Sequence, residues 1–322
     1  MSTILITGGH SGIGFACAEE LASGRQVDIL LAGRSPEKME AAAEMLRTRY
    51  GIAAKTVDLD TSSMASVRTA AQTCRAMLEA GEIGTLRAIL CNAGGRSFGA
   101  PAYSADGYEQ MFATNYLGHF LLVELLIGCL PDDGRVVFTA SGTHDPDTAD
   151  GKMVGPSVEP DATMLANAGK DGGREISSGA RYATSKLCTV MHAYELHRRL
   201  RRAGSNMASI AYDPGLVSGS AFLRGLPAPA RWMAGTALAK RIMQRRGITM
   251  GSLEFSGASL ARIATDPAFA ESSGKYLQAN SGVLSEATSA RISYDEALAA
   301  RLWDDSRRLA GLKREEECAL LE

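Results

Sequence analysis

The sequence predicts a doubly wound α/β fold in which helices cover both faces of a parallel sheet. Six short apolar runs alternate along the chain with longer segments of helical period. The runs are continuously apolar, which is typical of strands buried on both faces of a sheet. A glycine-rich turn at 7–14 (TGGHSGIG) joins the first run to the first helical segment. We therefore expect a single three-layer α/β/α domain over residues 1–322.

The individual elements follow from apolar periodicity and from turn residues at their ends. Strands are expected at 3–7, 27–32, 86–91, 134–140, 207–212 and 275–279, with a further strand ending at 57–60. Helices are expected at 13–23, 36–50, 63–80, 105–130, 180–203, 249–265 and 293–310.

Two segments interrupt this alternation. Residues 142–179 are rich in Gly and Asp and have no sustained period, so we expect an insert with little core of its own that a ligand orders. Residues 218–247 mix apolar and basic side chains. This second segment could cover a substrate, dock on a membrane or another copy, or be an amphipathic helix packed on the core.

The composition restricts the partners and the compartment. The formal net charge is −2, from 34 basic and 36 acidic residues, so neither nucleic acid nor an anionic membrane is attracted by the whole molecule. The six cysteines lack CxxC or zinc-finger spacing, which argues against a metal site or a disulfide framework. No leader peptide and no long apolar run is recognisable, so a cytoplasmic protein without a transmembrane segment is expected.

The glycine-rich turn has the placement of a phosphate-binding loop, directly between a strand and a helix. Gly8 permits a tight turn, Gly12 lets the backbone approach a pyrophosphate, and Gly14 allows the helix to pack closely on the strand. These features predict a dinucleotide cofactor.

The end of the second strand indicates which dinucleotide. It carries Arg34 and Ser35 where an acidic residue would bind the ribose 2′-hydroxyl of NADH, and a guanidinium suits the 2′-phosphate of NADPH. Arg34 could also be an ordinary solvated cation. Asp58 could accept a hydrogen bond from the adenine amino group, and the small residues of Asn92–Gly94 leave room for the adenosine ribose.

The stretch RYATSKLC (181–188) places a tyrosine and a lysine one helical turn apart. A phenol, with an ordinary pKa of about 10, transfers protons poorly at neutral pH unless its anion is stabilised. A lysine on the same helix face supplies the stabilising charge. Tyr182 and Lys186 are therefore a candidate general acid and tuning cation, although an ordinary amphipathic helix could carry the same pair.

Together these motifs resemble the short-chain dehydrogenase/reductase family over residues 3 to about 312. They are TGxxxGxG at 7–14, NAG at 92–94, the Asn of TNYLGHF, a Ser after the fifth strand and YxxxK. The resemblance implies a Rossmann fold, an NADPH/NADP⁺ cofactor and the catalytic tetrad Asn115, Ser141, Tyr182 and Lys186. Lys186 would also bind the nicotinamide ribose, Ser141 the substrate oxygen, and Asn115 would hold a local helix distortion and a water. The implied cofactor-binding set is Thr7, Gly8, His10, Ser11, Gly12, Ile13, Gly14, Arg34, Ser35, Asp58, Leu59, Asn92, Ala93, Gly94, Tyr182, Lys186, Pro214, Gly215 and Val217.

The long spacing from Ser141 to Tyr182 resembles the retinol dehydrogenase-like and light-dependent protochlorophyllide reductase branch. Cys188 after Lys-Leu fits that branch, although a buried packing thiol is the commoner role for such a residue. The pigment reductases carry a cysteine after the Pro-Gly turn, where this chain has Leu216. We therefore expect an NADP(H)-dependent carbonyl or alcohol oxidoreductase, with light-dependent protochlorophyllide reduction and nucleotide binding without turnover as alternatives.

The expected partner is a small apolar or polycyclic substrate, with homo-oligomerisation possible and nucleic acid excluded. His144 could line the pocket as a polar contact, whereas His119, His192 and His197 read as surface or core residues.

Overall fold

The computed structural model describes residues 1–24, 26–170, 172, 175–218 and 236–321. Ten strands occur in this part of the chain, eight of them in one sheet. The strands are β1 (Ser2–Thr7), β2 (Val27–Gly33), β3 (Ala54–Asp58), β4 (Leu86–Cys91), β5 (Arg135–Thr139), β6 (Ala208–Asp213), β7 (Leu216–Val217), β8 (Met250–Gly251), β9 (Tyr276–Asn280) and β10 (Val283–Ala287).

The large sheet has the order β10-β9-β6-β5-β4-β1-β2-β3, and β7 pairs with β8 outside it. All its pairings are parallel except that of the edge strand β10, which returns antiparallel beside β9. The chain crosses over between β3 and β4, so β1 and β4 lie side by side at the point where the winding reverses. Ligands bind at the carboxyl ends of strands at such a point. The predicted doubly wound fold is confirmed.

The helices in the described residues cover both faces of this sheet. They are α1 (Gly12–Gly24), α2 (Pro36–Tyr50), α3 (Met64–Glu79), α4 (Gln110–Phe112), α5 (Gly118–Leu126), α6 (Ala149–Val154), α7 (Ala162–Ala166), α8 (Ser178–Arg202), α9 (Ala237–Arg245), α10 (Leu253–Thr265) and α11 (Glu296–Leu309). A π-helical turn, Ala113–Leu117, separates α4 from α5.

Alternate residues of each central strand feed two hydrophobic cores, as a strand's period of two requires. Ile4 and Ile6 of β1 pack in the core beneath α1, α2 and α10. Leu5 between them belongs to the opposite core, which includes residues of α3, α5, α8 and α11. Burial on both faces explains why the strands read as continuous apolar runs.

The helical stretch Gln110–Cys129 is apolar and long enough to cross a membrane, judged by length and composition alone. In the fold, 83% of its apolar window is buried. Its burial is that of a core helix, so its apolar character is explained by packing.

The insert at 142–179 is more ordered than its sequence indicates. It contains α6 and α7, and Ala162, Leu165 and Ala166 of α7 are buried in the core that α8 and α11 share. The expectation that the insert has little core of its own is therefore wrong for this part. The helices are too short for apolar periodicity to reveal them.

The segment at 218–247 is only partly described. Residues 219–235, with Phe222, Trp232 and the basic Arg224 and Arg231, lie outside the described residues. The rest contains α9, which has no buried residue. Its proposed covering role stays a prediction.

Candidate active site

A cleft of about 730 Å³ opens at the carboxyl ends of β1 to β6. Its walls come from the turns that follow these six strands, from the start of the insert and from α8. The sheet topology thus brings residues that are far apart in sequence to a single edge.

At one end of the cleft, the glycine-rich turn presents bare backbone. Gly12 has φ +59°, and a Cβ atom placed there would meet no protein atom within 4 Å. A Cβ on Gly14 would lie 2.6 Å from Asn92 Nδ2, so a side chain there would separate α1 from the NAG turn. Gly12 therefore faces open space suited to a phosphate, whereas Gly14 is required for packing.

Thr7 fixes the NAG turn, residues 92–94, through hydrogen bonds. The backbone N–H groups of Asn92 and Ala93 both donate to Thr7 Oγ1 at 2.8 Å, and Asn92 Nδ2 donates to the Thr7 carbonyl at 3.0 Å. Thr7 is fully buried and does not line the cleft. It fixes the turn that does.

Beyond the glycine turn, Arg34 and Ser35 line the cleft together with Lys38 of α2. Both cations are exposed. Two positive charges thus lie at the tip of β2, where an anionic group of a ligand would be stabilised.

The other end of the cleft contains Ser141, Tyr182 and Lys186. The Tyr182 and Ser141 hydroxyls are hydrogen-bonded to each other. Lys186 Nζ lies 6.0 Å from the Tyr182 ring centroid and donates to the Thr139 carbonyl oxygen at 2.7 Å. Both the phenol and the ammonium are more than nine-tenths buried.

Burial governs the proton affinities of this group. It raises the pKa of Tyr182, while the bond to Ser141 and the charge of Arg96 lower it. Burial also lowers the pKa of Lys186 to about 8, and the negative charge of Asp213 raises it. At neutral pH the phenol is therefore protonated, and the lysine titrates just above neutrality.

Asn115 lies in the π-helical turn and connects this group to the NAG turn. Its Oδ1 accepts from Gly95 N at 3.0 Å, and its Nδ2 donates to Gly95 O and to Ser185 Oγ, both at 3.0 Å. A Cβ on Gly94 would lie 2.7 Å from Asn115 Oδ1. The distortion of the helix at Asn115 agrees with the role that the sequence motif implies.

Comparison with known proteins gives the same family that the sequence motifs resemble. The short chain dehydrogenase family model matches residues 2–149. A chloroplast protochlorophyllide reductase from Chlamydomonas reinhardtii is 31% identical over 96% of this chain and 78% of its own length. Human retinol dehydrogenase 13 is 30% identical over 97% of this chain and 85% of its own.

The chain belongs to the short-chain dehydrogenase/reductase family. A solved structure of a blue fluorescent protein from a metagenomic library, in complex with NADPH, shares the fold with a TM-score of 0.62. It is 19% identical to this chain and covers 87% of it, and 97% of that protein is matched. The two relatives lie in the retinol dehydrogenase and protochlorophyllide reductase branch that the spacing of Ser141 and Tyr182 indicates.

Most of the residues singled out by the family motifs line the cleft. These are Gly8, His10, Ser11, Gly12, Ile13, Arg34, Ser35, Leu59, Asn92, Ala93, Gly94, Asn115, Ser141, Tyr182, Lys186, Pro214, Gly215 and Val217. Three others do not: Thr7 and Gly14 support the cleft from behind, and Asp58 is exposed outside it. Leu59, Asp60 and Thr61 line this part of the wall instead of Asp58.

Sequence reasoning missed several cleft residues in this short-chain dehydrogenase/reductase. Lys38 could have been found, because it lies in the first turn of the helix that begins just after Arg34. Arg96 follows the NAG turn but belongs to no motif. Asp150 and Asp213 converge on Gly142, where a Cβ would lie 2.7 and 3.1 Å from their Oδ2 atoms. Only the fold brings these two carboxylates together.

His144 is not a pocket residue. Its Nδ1 donates to the Ser141 carbonyl at 2.7 Å and its Nε2 accepts from Ala290 N at 3.0 Å, so both ring nitrogens are bonded. It links the loop that follows β5 to the segment that precedes α11. Cys188 is fully buried and burial raises the pKa of its thiol, as expected for a packing residue.

The other singled-out histidines also have structural roles. His119 and His192 are buried, and burial lowers their pKa values to about 4 and about 3. His197 Nδ1 lies 2.8 Å from Ser273 Oγ at the surface. The predictions of His119 as a satisfied core residue and of His197 as a helix-surface residue are confirmed. His192 is a core residue, but its two ring nitrogens are buried without a hydrogen-bond partner among the described residues.

Proposed function

We propose that this protein is an NADP(H)-dependent oxidoreductase that interconverts a carbonyl compound and an alcohol, with Tyr182 as general acid and base. One observation carries the proposal. A protonated phenol bonded to Ser141, with a buried ammonium beside it, lies in the same cleft as a glycine turn and two cations.

The described residues fit a nicotinamide dinucleotide. The open backbone at Gly12 and the start of α1 would hold the pyrophosphate, Asn92–Gly94 the adenosine ribose, and Pro214, Gly215 and Val217 the carboxamide. When bound, the cofactor supplies or accepts a hydride. Lys186 would bind the nicotinamide ribose.

The side chains supply the proton. In the reductive direction Ser141 Oγ and the Tyr182 hydroxyl would both donate to the substrate carbonyl oxygen, and Tyr182 transfers its proton as the oxygen becomes negative. The Lys186 ammonium then stabilises the phenolate that is left. Asn115 keeps Ser185 and the NAG turn in register with this group. Lys186 would then pass a proton to the Tyr182 phenolate, and a water held by Asn115 would replace the proton of Lys186 from solvent.

The preference for NADPH over NADH rests on Arg34 and Lys38, because two cations at the tip of β2 suit a 2′-phosphate. The blue fluorescent protein that shares the fold is described as a complex with NADPH. The substrate we propose is small and largely apolar, because Phe98, Met111, Met153 and Leu216 line the cleft. We further propose that residues 218–247 and the first half of the insert cover the bound substrate. We also propose that the protein is cytoplasmic.

The proposal is tested by adding purified protein to NADPH and NADH in turn with a panel of aldehydes, ketones and alcohols. We expect substrate-dependent oxidation of NADPH, and much weaker oxidation of NADH. If the protein binds NADPH tightly but turns over nothing in either direction, the non-catalytic alternative replaces this one.

Light-dependent reduction of protochlorophyllide is the second candidate, because a protochlorophyllide reductase is 31% identical to this chain. Leu216 lines the cleft directly after the Pro-Gly turn, where the sequence resemblance implies that pigment reductases carry a cysteine. We therefore expect illumination of protein, NADPH and protochlorophyllide to leave the pigment absorption unchanged. Light-dependent conversion would reverse the order of the two candidates.

A further inference from the structure

His119 is a buried histidine that takes no part in the proposed proton transfer. It lies in the first turn of α5, directly after the π-helical turn that carries Asn115, and it is 3% exposed. Its Nε2 lies 2.9 Å from Thr7 Oγ1, and its Nδ1 lies 3.3 Å from the Asn115 carbonyl oxygen. One imidazole ring thus contacts both the residue that fixes the NAG turn and the residue that connects this turn to α8.

The hydrogen-bond capacity of Thr7 determines which nitrogen of the ring is protonated. Thr7 Oγ1 accepts from the backbone N–H groups of Asn92 and Ala93, both at 2.8 Å, and these bonds use its two lone pairs. The hydroxyl can then only donate, to His119 Nε2 at 2.9 Å or to the Leu90 carbonyl oxygen at 3.3 Å. In either case Oγ1 cannot accept from Nε2, so Nε2 carries no proton.

The contact with Asn115 selects the same tautomer. A carbonyl oxygen only accepts, so Nδ1 must carry the proton and donate it. Burial lowers the pKa of His119 to about 4, the bond to Asn115 opposes this, and the charge of Lys186 lowers the pKa further. At neutral pH the ring is therefore uncharged and has one donor and one acceptor, both of which are used.

The two contacts join parts of the site that have different tasks. Thr7 holds the NAG turn, which would bind the adenosine ribose of the cofactor. Asn115 bonds to Gly95 and to Ser185, which lies on α8 between the candidate general acid and the lysine. A displacement of the imidazole would therefore change both the cofactor end and the catalytic end of the cleft.

From these contacts we infer that His119, with its proton on Nδ1, is a positioning residue that ties the cofactor-binding NAG turn to Asn115. The inference rests on the proposed function and adds to it a residue that does not line the cleft. Through Thr7 the ring holds the turn that would meet the ribose, and through the Asn115 carbonyl it holds the π-helical turn.

The tautomer is tested on the wild-type protein by long-range proton–nitrogen NMR with nitrogen-15-labelled histidine. The spectrum of His119→Gln assigns the signals. We expect a protonated Nδ1 and an unprotonated Nε2, unchanged between about pH 6 and pH 8, because the pKa lies well below this range. A proton on Nε2, alone or on both nitrogens, would overturn the inference.

Two substitutions separate the two contacts. In His119→Asn an amide nitrogen can replace Nδ1 but nothing reaches Thr7, whereas in His119→Gln an amide oxygen can replace Nε2 and the donor to Asn115 is lost. We expect His119→Asn to raise the dissociation constant for NADPH by about three- to tenfold and to leave hydride transfer at saturating NADPH within about twofold. His119→Gln should keep the affinity within about twofold and slow hydride transfer by about tenfold. His197→Gln, at a partly buried surface histidine, is the matched control and should change neither.

Equal losses of affinity and rate in the two variants would show a general packing role and overturn the inference, as would wild-type behaviour of both. If neither variant folds, the tautomer in the wild-type protein decides. Failure of the proposed function is seen separately, as no oxidation of NADPH by the wild-type protein with any carbonyl compound. In that case the tautomer and the NADPH affinity of His119→Asn still decide whether His119 holds the NAG turn.

Discussion

The chemistry of single residues in this protein depends on their burial. Tyr182 and Lys186 are one helical turn apart, which the sequence shows, but both are also buried, which it does not. Burial keeps the phenol protonated and brings the lysine pKa down to about 8. The pair therefore meets the two requirements of the proposed mechanism, an available proton and a nearby positive charge.

The lysine pKa predicts how cofactor affinity depends on pH. Because the pKa of Lys186 is lowered to about 8, its charge is present below that pH and is lost as pH rises through it. We expect the dissociation constant for NADPH to rise above about pH 8, by up to about tenfold per unit. In Lys186→Arg the cation persists, since arginine stays protonated, and the curve should be flat.

Fluorescence titration of NADPH between about pH 7 and 10 measures both curves. Near-UV circular dichroism of the variant checks that the buried substitution keeps the fold. A flat wild-type curve, or an identical rise in the variant, would show that Lys186 does not hold the ribose.

Cofactor choice is a second prediction at this scale. Arg34→Asp should weaken NADPH binding by about 1.5–3 kcal/mol, the value of a charge-assisted bond, and affect NADH less. Isothermal titration with each cofactor measures the difference. Arg49→Asp makes the same charge change on α2, outside the cleft, and should leave both affinities unchanged. Equal losses for the two cofactors in Arg34→Asp would remove the basis for assigning NADPH.

At the scale of elements, the sequence predicted the long helices and buried strands because their apolar periods are extended. It failed for α6 and α7, which are too short to show a period, and for β10, an edge strand in which no residue is buried. The π-helical turn at Asn115 could be inferred only through a family motif, since no local composition marks it. The position of Arg34 in the cleft could likewise be predicted, because it follows β2 directly. That Arg96 and Asp213 line the same cleft is visible only in the folded chain.

Helix α7 should contribute to stability although it lies in the insert. Leu165 is almost fully buried in the main core, so Leu165→Ala should cost about 2–4 kcal/mol. Leu238 of α9 is 70% exposed, and Leu238→Ala should change stability by less than about 0.5 kcal/mol. Urea unfolding of both variants gives the comparison. Equal midpoints for Leu165→Ala and the wild type would mean that α7 opens independently of the core.

At the scale of the whole molecule, the strand order places every candidate functional residue at one edge of the sheet. Consecutive apolar runs and a glycine turn were sufficient to predict this, because parallel strands have few topologies. The hydrogen bond between the insert and the residue that precedes β8 could not be predicted from the sequence. It is made by Asp150, which accepts from Thr249 Oγ1 at 2.6 Å and is buried.

Asp150 should make the whole molecule less stable as pH rises. Burial raises its pKa from 3.8 to about 6, with Asp213 adding to the rise and Thr249 opposing it. The folded state therefore binds a proton more tightly than the unfolded state, and stability falls as pH rises from about 4 through 6. Relative to the wild type, Asp150→Asn should gain about 1–3 kcal/mol between about pH 4 and pH 8.

Unfolding free energies at a series of pH values for the wild type, Asp150→Asn and Asp147→Asn measure this effect. Asp147 is exposed and supplies the same change of charge nearby. Glu124 and the buried histidines also make stability depend on pH, but they are the same in all three proteins. Their contributions therefore cancel in the differences between variants. Parallel curves for the wild type and Asp150→Asn would contradict the assignment.

The most direct test of the proposed function is the rate of hydride transfer in Tyr182→Phe. The phenylalanine keeps the ring and the cofactor site but removes the proton donor. With the best carbonyl substrate of the wild type, single-turnover oxidation of bound NADPH should be slower by about 10²–10⁴-fold, while the dissociation constant for NADPH stays within about twofold. Hydride transfer at the wild-type rate in Tyr182→Phe would contradict the account, because another group would then supply the proton.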